Sequence, residues 1–412
     1  MSRAAAALPN GARILSGDPV LKDANAPGYR PIWVERVVLT NFRNYVAASV
    51  AVAPSSVVLI GANGSGKTNL LEAISLLAPG QGLRRSGLAE LPRLGGAGDW
   101  AVAARVHTAR GAVDIGTGQP PPDASGPAKG RLVRIDGVTQ SGTGVLADHV
   151  EAVWLTPAMD GLFTGPAAER RAFLDRLTLC FDAGYRLIAG RFERAMRQRN
   201  RLLQDGVTDQ AQFAGLESLM AETGVASAAA RAEALTNLAA TIGARRERDP
   251  SSPFPWSRIA VEGWLEQELS NRPAVEVEDL YSRALAAGRE RDRHAGRTLI
   301  GPHRSDLVVE HGPKMMPAHL CSTGEQKALL VGLVLAHAEL LAQRRDGQVP
   351  ILLLDEVAAH LDEARREALF GEIIRLEAQA WLTGTDRGAF EALEKTAAVV
   401  HVEGGRMRPA GS

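Results

Sequence analysis

The feature that most constrains this chain is an eight-residue segment that begins at Gly61. It has the pattern G-x-x-x-x-G-K-[ST] and lies between the apolar run Val57 to Ile60 and a helical run from Lys67 to Leu77. Glycines let successive backbone N–H groups face phosphate oxygens, and the helix N-terminus adds partial positive charge. Lys67 then reaches the β- and γ-phosphates, and Thr68 ligates Mg²⁺. The segment predicts nucleotide binding; the alternative is a glycine-rich turn that happens to contain lysine.

A second element supplies the carboxylates that a phosphate loop needs for catalysis. The apolar run Ile351 to Leu354 is followed directly by Asp355 and Glu356, as at the end of a buried parallel strand. A carboxylate in that position holds Mg²⁺ through water, so we assign this role to Asp355. Glu356 is placed to activate an attacking water as general base. The alternative for Glu356 is a strand-end carboxylate that only forms a salt bridge.

The third element opens the apolar helical run Ala328 to Leu341. It reads Cys321-Ser322-Thr323-Gly324-Glu325-Gln326-Lys327. A serine hydroxyl and the free N–H groups of a helix start bind anions, which makes Ser322 and Gly324 candidate phosphate contacts. Ordinary N-capping by Ser322 or Thr323 explains the same residues. In isolation the segment does not decide between these interpretations.

Composition and charge exclude several classes of protein. The chain has 412 residues, with 47 Lys+Arg balanced by 47 Asp+Glu, so any binding to nucleic acid must use a local basic patch. Its two cysteines, Cys180 and Cys321, are too few for a disulfide scaffold or a four-cysteine metal site, and they predict a reducing, cytoplasmic location. The longest apolar run, Ala328 to Ala336, is shorter than the ~20 residues that span a bilayer, which predicts no membrane anchor.

The order of strand-like and helical patterns predicts an α/β domain that is interrupted by helices. Short β-rich runs surround the phosphate loop, whereas the long helical patterns Ala167 to Gln204 and Asp209 to Arg248 predict a helical hairpin. Strand-like character returns near Thr298. We therefore predict a disordered tail at 1–30, the N-terminal part of a head at 31–165, an inserted helical arm at 166–295 and the C-terminal part of the head at 296–412.

The three elements in this order resemble the ABC-type ATPase heads, including those of the SMC-like superfamily. Ser322 to Gln326 looks like the signature motif of such heads, and Ala359-His360-Leu361-Asp362 follows the strand carboxylates. Further segments are similar to the RecF family of recombination and repair proteins. They are Leu39-Thr40-Asn41-Phe42-Arg43-Asn44-Tyr45, Asn63 to Ile74, Gly165-Pro166 with Arg170 to Asp175, Gln198-Arg199-Asn200, and Gly301 to Leu307.

The resemblance implies a fold and a function. The fold is an α/β P-loop NTPase of the ABC-type head class, with a β-rich N-terminal lobe, an α/β lobe and the inserted helical arm. The function is a weak, DNA-stimulated ATPase of recombinational repair and replication-fork maintenance. It dimerises on ATP and, with RecO and RecR, helps to load RecA on gapped DNA. ATP and Mg²⁺ are the implied cofactors.

The same resemblance assigns site residues. The catalytic residues are Lys67 and Glu356, and the Mg²⁺ ligands are Thr68 and Asp355. The nucleotide contacts are Gly61, Ala62, Asn63, Gly64, Ser65, Gly66, Lys67, Thr68 and Asn69, with Ser322 and Gly324 from the opposite subunit of the dimer. Slow hydrolysis is expected because two subunits must meet to complete one site.

Two features of the ATPase heads are missing from this sequence. The strand after the carboxylates ends without the switch histidine of transporter ATPases, so Thr385 or Asp386 is the candidate substitute. No glutamine lies between Trp154 and Asp160 to serve as the Q-loop residue. We therefore assign no Q-loop residue and no metal contact to this segment.

A neutral chain that binds DNA needs a local basic surface. On the helical run after Gly184, apolar residues share one face and four arginines lie roughly opposite: Arg186, Arg194, Arg197 and Arg201. These arginines are candidates for binding DNA phosphates, and a solvated helix face in an arginine-rich sequence is the alternative. Arg84 and Arg85 are further candidates on the head. Because the sequence has no aromatic ladder for stacking bases, the predicted target is duplex DNA or a single/double-strand junction.

His303 and Arg304 invite a catalytic interpretation, since both lie in the segment that resembles a family motif. The histidines around them are irregularly spaced, which argues against a metal site. We interpret the pair as structural residues near the nucleotide or at a subunit contact.

Two other functions are compatible with the nucleotide motifs. A soluble ABC transporter-type ATPase subunit would keep the nucleotide chemistry and couple it to membrane partners. A nucleotide-gated protein scaffold would bind partners and hardly hydrolyse ATP. The inserted arm and the missing switch histidine argue against the first, and Glu356 argues against the second.

Overall fold

The computed structural model describes residues 30–122, 130–182, 184–358, 361–393 and 396–409. The tail predicted at 1–30, apart from Arg30, lies outside these residues, as do Ala359 and His360 of the motif after the carboxylates. The described residues form two compact units. The first combines the chain up to Pro157 with the chain from Leu341 onwards, and the second spans Ala158–Leu340. The head and arm boundaries at 165/166 and 295/296 stay predictions.

Strands dominate the first unit, whereas helices dominate the second. The strands are β1 (Arg30–Pro31), β2 (Trp33–Phe42), β3 (Tyr45–Ala51), β4 (Ser56–Ile60), β5 (Trp100–Thr108), β6 (Gly111–Gln119), β7 (Leu132–Ile135), β8 (Val138–Thr139), β9 (Ala152–Leu155), β10 (Ser257–Glu262), β11 (Asp306–His311), β12 (Met316–Pro317), β13 (Gln348–Val349), β14 (Ile351–Leu354), β15 (Ala380–Gly384), β16 (Ala397–Glu403) and β17 (Arg406–Pro409). The helices are α1 (Lys67–Ser75), α2 (Ala167–Phe181), α3 (Tyr185–Gln204), α4 (Gln210–Arg248), α5 (Trp264–Leu269), α6 (Ala274–Ala287), α7 (Arg289–Ala295), α8 (Thr323–Arg344) and α9 (Glu363–Arg375).

The first unit contains an antiparallel sheet with the order β3-β2-β5-β6-β7-β8. In β5 the side chains of Trp100, Val102, Ala104 and Val106 are buried and the residues between them are exposed. This alternation is expected for a sheet with one solvated face, because successive side chains point to opposite faces. The sheet is the β-rich lobe that the sequence predicts.

The second sheet of this unit carries the phosphate loop. Its order is β17-β16-β4-β15-β14-β9, and the five strands from β16 to β9 are parallel. Every residue of β4, β9, β14 and β15 is buried, which explains why these strands have continuous apolar sequences. In this order β15 separates the phosphate-loop strand β4 from the carboxylate strand β14. Because the three strands are parallel, their carboxyl ends lie at the same edge of the sheet.

The second unit is built around a hairpin of α3 and α4. Its apolar core joins residues of α3, α4, α5 and α6, among them Phe192, Met220 and Tyr281. Arg199 is completely buried in α3, where Glu217 and Asp292 accept its hydrogen bonds. Because both carboxylates pair with it, Arg199 is a structural residue of the arm and does not face solvent.

Two expectations about this unit are wrong. The helix predicted from Ala167 to Gln204 is interrupted, since α2 ends at Phe181, Asp182 is extended and its carboxylate accepts a hydrogen bond from the Gly184 N–H. Asp favours such breaks because its side chain hydrogen-bonds to the nearby backbone, and Gly favours them because of its conformational freedom. Thr298, where strand character was expected, lies outside any strand, and β11 begins at Asp306.

The apolar helix that follows the signature segment is a core helix. Almost every residue of α8 from Gln326 to Ala342 is buried. Glu339 accepts hydrogen bonds from Arg245 and Arg248, near the end of α4, at 2.7 Å each. Within the residues that the structure describes, no helix is long and apolar enough to cross a membrane.

Candidate nucleotide-binding site

The sheet brings the phosphate loop and the strand carboxylates together. Thr68 Oγ1 donates hydrogen bonds to both oxygens of Asp355, at 2.9 and 3.0 Å. Thr68 is the second residue of α1, and Asp355 follows β14 directly. A hydroxyl and a carboxylate are the oxygen ligands that Mg²⁺ prefers. The two residues that the sequence assigns to the metal are thus in contact.

The conformation of the loop depends on glycines and on two braces from the antiparallel sheet. Gly64 and Gly66 have positive φ angles of 78° and 120°, which favour glycine. Tyr45 donates its hydroxyl hydrogen to Gly66 O at 2.9 Å, and Asn44 Nδ2 donates to Ser65 O at 3.0 Å. A Cβ on Gly66 would lie 2.7 Å from Asn44 Nδ2 and 2.8 Å from Tyr45 Oη. Sequence reasoning missed these braces, although both residues lie in the segment from Leu39 that resembles a family motif.

Lys67 is folded back onto its own loop. Its Nζ donates to Gly61 O at 2.6 Å and to Ala62 O at 3.0 Å, and the side chain is buried. Burial lowers the pKa of Lys67, and the nearby carboxylates of Glu356 and Asp355 oppose that shift. The ammonium group is therefore held at the centre of the loop by acceptors that a phosphate would replace.

Thr383 connects the two carboxylate residues and was not foreseen from the sequence. Its hydroxyl donates to Asp355 Oδ1 at 2.8 Å and accepts the backbone N–H of Glu356 at 2.8 Å. Burial raises the pKa of Asp355, and the bonds from Thr383 and Thr68 oppose the rise. Glu356 has a positive φ of 53°, an uncommon conformation for a non-glycine residue. In the pairing of β14 with β15, Leu354 lies opposite Leu382. Knowledge of this strand order would therefore have placed Thr383 beside Asp355.

Thr383→Val is expected to lower kcat for ATP hydrolysis about 10- to 100-fold, because without the Thr383 hydroxyl Asp355 and Glu356 are displaced. The dissociation constant for ATP should not change, because the phosphate loop stays intact. The buried N–H of Glu356 loses its acceptor, which destabilises the fold by about 1–3 kcal/mol. Steady-state kinetics, nucleotide titration and thermal melting measure the three effects. Thr139→Val is the matched control, since Thr139 is an exposed threonine of β8 in the same unit. Wild-type kcat in the Thr383 variant would show that its hydroxyl does not position the carboxylates.

The two candidates for the missing switch residue follow β15. Thr385 and Asp386 are both exposed, and Asp386 accepts a hydrogen bond from the Gly388 N–H at 2.9 Å. In the second unit, Lys327 Nζ donates to Asp160 Oδ2 at 3.0 Å. Asp160 is therefore tied to the first turns of α8, at the end of the segment where a Q-loop glutamine was absent.

Arg84, a DNA candidate on the head, is engaged by the phosphate-loop helix. Its Nη1 donates to Asn69 Oδ1 at 2.7 Å and to Glu72 Oε2 at 3.1 Å. Glu72 is buried and also binds Arg43. Arg85 is exposed and has a positive φ of 56°. The Glu72 carboxylate thus pairs with both Arg43 and Arg84, which leaves an excess of positive charge beside the phosphate loop.

The signature segment, in the second unit, forms a capped helix start. Glu325 Oε2 accepts the backbone N–H of Ser322 at 3.0 Å and its hydroxyl at 2.9 Å, and Lys314 also pairs with Glu325. The Lys314 and Ser322 bonds hold the pKa of Glu325 at about 2. Ser322 and Gly324 are both exposed. Glu325 therefore binds the Ser322 N–H as in one half of a capping box, and both sequence interpretations of Ser322 and Gly324 stay predictions.

The four arginines predicted to share a face of α3 are all exposed. They are Arg186, Arg194, Arg197 and Arg201. Arg197 pairs with Glu193 at 3.3 Å on the same face. On the opposite face Tyr185, Phe192 and Leu203 are buried, as the spacing predicts. DNA binding by this face stays a prediction.

Comparison with known proteins identifies close relatives over most of the chain. The family described as "AAA domain, putative AbiEii toxin, Type IV TA system" matches residues 56–102, which include the phosphate loop. The DNA replication and repair protein RecF of Mesorhizobium japonicum is 54% identical over 377 residues, which cover 91% of this chain and 97% of the relative. The protein of the same name from Rhizobium etli is 50% identical over 374 residues, which cover 91% and 98%.

Solved structures confirm the predicted fold. The recombination mediator protein RecF with ATP, of the RecFOR pathway, aligns with a TM-score of 0.81 at 21% identity and covers 95% of this chain and 100% of that chain. An Smc head domain of Pyrococcus furiosus, bound to the C-terminal domain of ScpA, aligns with a TM-score of 0.50 at 16% identity and covers 92% and 96%. The chain has the α/β fold of an ABC-type P-loop ATPase head.

Proposed function

Because this chain belongs to the RecF family of DNA replication and repair proteins, we propose that it is an ATP-dependent DNA-binding protein that acts in the cytoplasm in recombinational repair and replication-fork maintenance. Its proposed reaction is slow, DNA-stimulated hydrolysis of ATP to ADP and phosphate. The observation that carries the proposal is the contact of Thr68 with Asp355, and of Asp355 with Thr383, beside the phosphate loop. Family membership argues against the transporter subunit, since the RecF relatives match 91% of the chain.

The residues at the sheet edge fit ATP and Mg²⁺. Lys67 would exchange its bonds with Gly61 O and Ala62 O for bonds with phosphate oxygens. Thr68 and Asp355 would hold Mg²⁺, which supplies positive charge to the phosphates when it is bound. Glu356 would accept a proton from the attacking water. In this scheme Thr383 positions Glu356 by accepting its backbone N–H.

The signature segment is the proposed second half of the site, supplied by another copy of the chain. Ser322 and Gly324 are exposed at the start of α8. A hydroxyl and free N–H groups at a helix N-terminus fit a γ-phosphate. To bind it, the Ser322 hydroxyl would leave Glu325 Oε2. ATP would then join two copies, and hydrolysis would release them.

DNA is the proposed macromolecular ligand. The exposed arginines of α3, and Arg85 with the partly exposed Arg84, are the proposed contacts for phosphates of duplex DNA or of a single/double-strand junction. RecR and RecO are proposed protein partners, and loading of RecA on gapped DNA is the proposed outcome. In this scheme ATP controls how long the dimer stays on DNA.

The test is the light-scattering mass of the protein with ATP and Mg²⁺, with and without gapped duplex DNA. A dimer that needs ATP and retains DNA supports the proposal. A monomer under every condition, with no DNA retained, contradicts it and favours the nucleotide-gated scaffold.

Ser322→Arg is expected to keep the protein monomeric in ATP and Mg²⁺ while ATP still binds, because the large cation fills the surface that meets the second copy. The change also removes the hydrogen bond from the Ser322 hydroxyl to Glu325, which costs about 0.5–1.5 kcal/mol. Ser322→Ala loses the same hydrogen bond without added bulk, so it separates the two effects by light scattering. Ser270→Arg, at another exposed position of the same unit, controls for the added charge. A dimer of normal stability in Ser322→Arg would remove the signature segment from the interface.

A further inference from the structure

The turn at 301–306 is held rigidly by three arginine side chains of the same unit. It contains His303 and Arg304, which the nucleotide site does not use. Gly301 starts it with a φ of 129°. The holding bonds are Arg231 Nη1 to Pro302 O at 2.6 Å, Arg171 Nη1 to Ser305 O at 3.2 Å, and Arg170 to the two oxygens of Asp306 at 2.9 and 2.7 Å. The backbone of the turn is thus fixed on both sides of Arg304.

Arg304 itself is exposed, and its guanidinium forms no ion pair with any residue that the structure describes. Arg171 donates only to a backbone carbonyl. The carboxylates that could neutralise them are committed elsewhere. Asp306 pairs with Arg170, and Asp175 accepts hydrogen bonds from Arg231 and Tyr185. Among the residues that the structure describes, neither the Arg304 nor the Arg171 guanidinium therefore forms an ion pair.

The positive charges also act on one another. The pKa of Arg171 is lowered by burial, while Arg231 and Arg304 lower it further and Asp306 and Asp175 oppose them. Two other carboxylates lie nearby: Glu266 accepts the Ser305 hydroxyl, and Glu169 interacts with Arg170. Neither pairs with Arg304. An anion at the turn would reduce the electrostatic repulsion between the guanidinium groups of Arg304 and Arg171, because two nearby positive charges raise each other's energy.

We propose that Arg304, supported by Arg171, binds a phosphate of the DNA backbone, as a contact additional to the arginines of α3. The planar guanidinium fork suits phosphate oxygens. A fixed turn loses little conformational freedom when it binds a ligand. The turn packs against the buried face of α3, since the His303 ring lies 5.8 Å from the ring of Phe192, so the contact is separate from the arginine face. The inference rests on the proposed function, that the chain binds DNA.

The test is a titration of fluorescent duplex DNA, in ATP and Mg²⁺ and at several salt concentrations, with wild type, Arg304→Ala, Arg304→Lys and Arg304→Glu. One phosphate contact fewer lowers the slope of log K against log salt by about 0.9, so Arg304→Ala should show that change and bind about tenfold more weakly. Arg304→Lys should recover part of the affinity and Arg304→Glu should lose more. Arg283→Ala, an exposed arginine of α6, is the matched control and should bind like wild type. Thermal melting checks that each variant is folded.

The outcomes separate the inference from the function on which it rests. If wild type and Arg304→Ala bind DNA with the same affinity and salt slope, the contact at Arg304 is refuted and DNA binding stands. If wild type itself does not bind DNA, both proposals fail. A parallel titration with a fluorescent ATP analogue distinguishes the source of the phosphate. A loss of affinity for the analogue, with unchanged DNA binding, would assign Arg304 to nucleotide and overturn the inference.

Discussion

Glu356→Gln is expected to lower the rate of ATP hydrolysis by about 10²- to 10⁴-fold, the usual contribution of a general base, while ATP still binds. Glutamine has the shape of glutamate, but its amide does not accept a proton from water. The backbone bond from residue 356 to Thr383 is retained, so the geometry beside Asp355 is preserved. An ATP-bound dimer should therefore accumulate.

Two measurements check this result together. Phosphate release in a single turnover gives the rate of the chemical step, and light scattering gives the mass of the ATP complex. Glu363→Gln is the matched control, because Glu363 is an exposed carboxylate at the start of α9 in the same unit. If Glu356→Gln hydrolyses ATP at the wild-type rate, Glu356 is not the base, and its role is reduced to that of a strand-end carboxylate.

Lys67→Ala is expected to weaken ATP binding by at least ~100-fold. A hydrogen bond from a charged donor contributes about 1.5–3 kcal/mol, and about 1.4 kcal/mol corresponds to a factor of ten in affinity. The loss of two such bonds to phosphate therefore weakens binding by ~100-fold or more. The ammonium group is buried at the centre of the loop, and the described residues place only Gly61 O and Ala62 O in hydrogen-bond contact with it.

Calorimetric titration with ATP measures the loss. Arg110→Ala removes an exposed cation from a turn of the antiparallel sheet of the same unit and should leave the affinity unchanged. Thermal melting without nucleotide shows whether Lys67→Ala is folded. Tight ATP binding by a folded Lys67→Ala protein would contradict the assignment of the loop as the phosphate site.

Most of the fold could be predicted because its signals are local. The buried strands Ser56–Ile60 and Ile351–Leu354 contain the predicted apolar runs Val57 to Ile60 and Ile351 to Leu354, since a strand buried on both faces is mostly apolar. The interruption between α2 and α3 was harder to predict, because the apolar spacing continues across it while Asp182 and Gly184 break the backbone. The buried Arg199 was also beyond pattern reasoning, since its partners Glu217 and Asp292 are distant in the sequence.

The candidate site likewise contains residues that the sequence predicts and residues that it does not. Lys67, Thr68 and Asp355 are recognisable because the phosphate loop and the strand carboxylates each have their own sequence pattern. Thr383 has none, and the motif that contains Asn44 and Tyr45 does not indicate their contacts with the loop. The roles of all three follow from the order of strands in two sheets. A threonine at a strand end is common, and only the pairing of β14 with β15 places this one between Asp355 and Glu356.

The sequence by itself determined the nucleotide chemistry, because glycine conformation, the lysine and the two carboxylates are properties of short segments. The tertiary structure decided which side chains hold those groups in place and which charges have no partner. Arg84 and Arg304 look alike in the sequence, yet one is bound to Glu72 and Asn69 while the other has no counter-ion among the described residues. The physical reason is that burial and pairing depend on contacts between residues far apart in the chain, and those contacts exist only after folding.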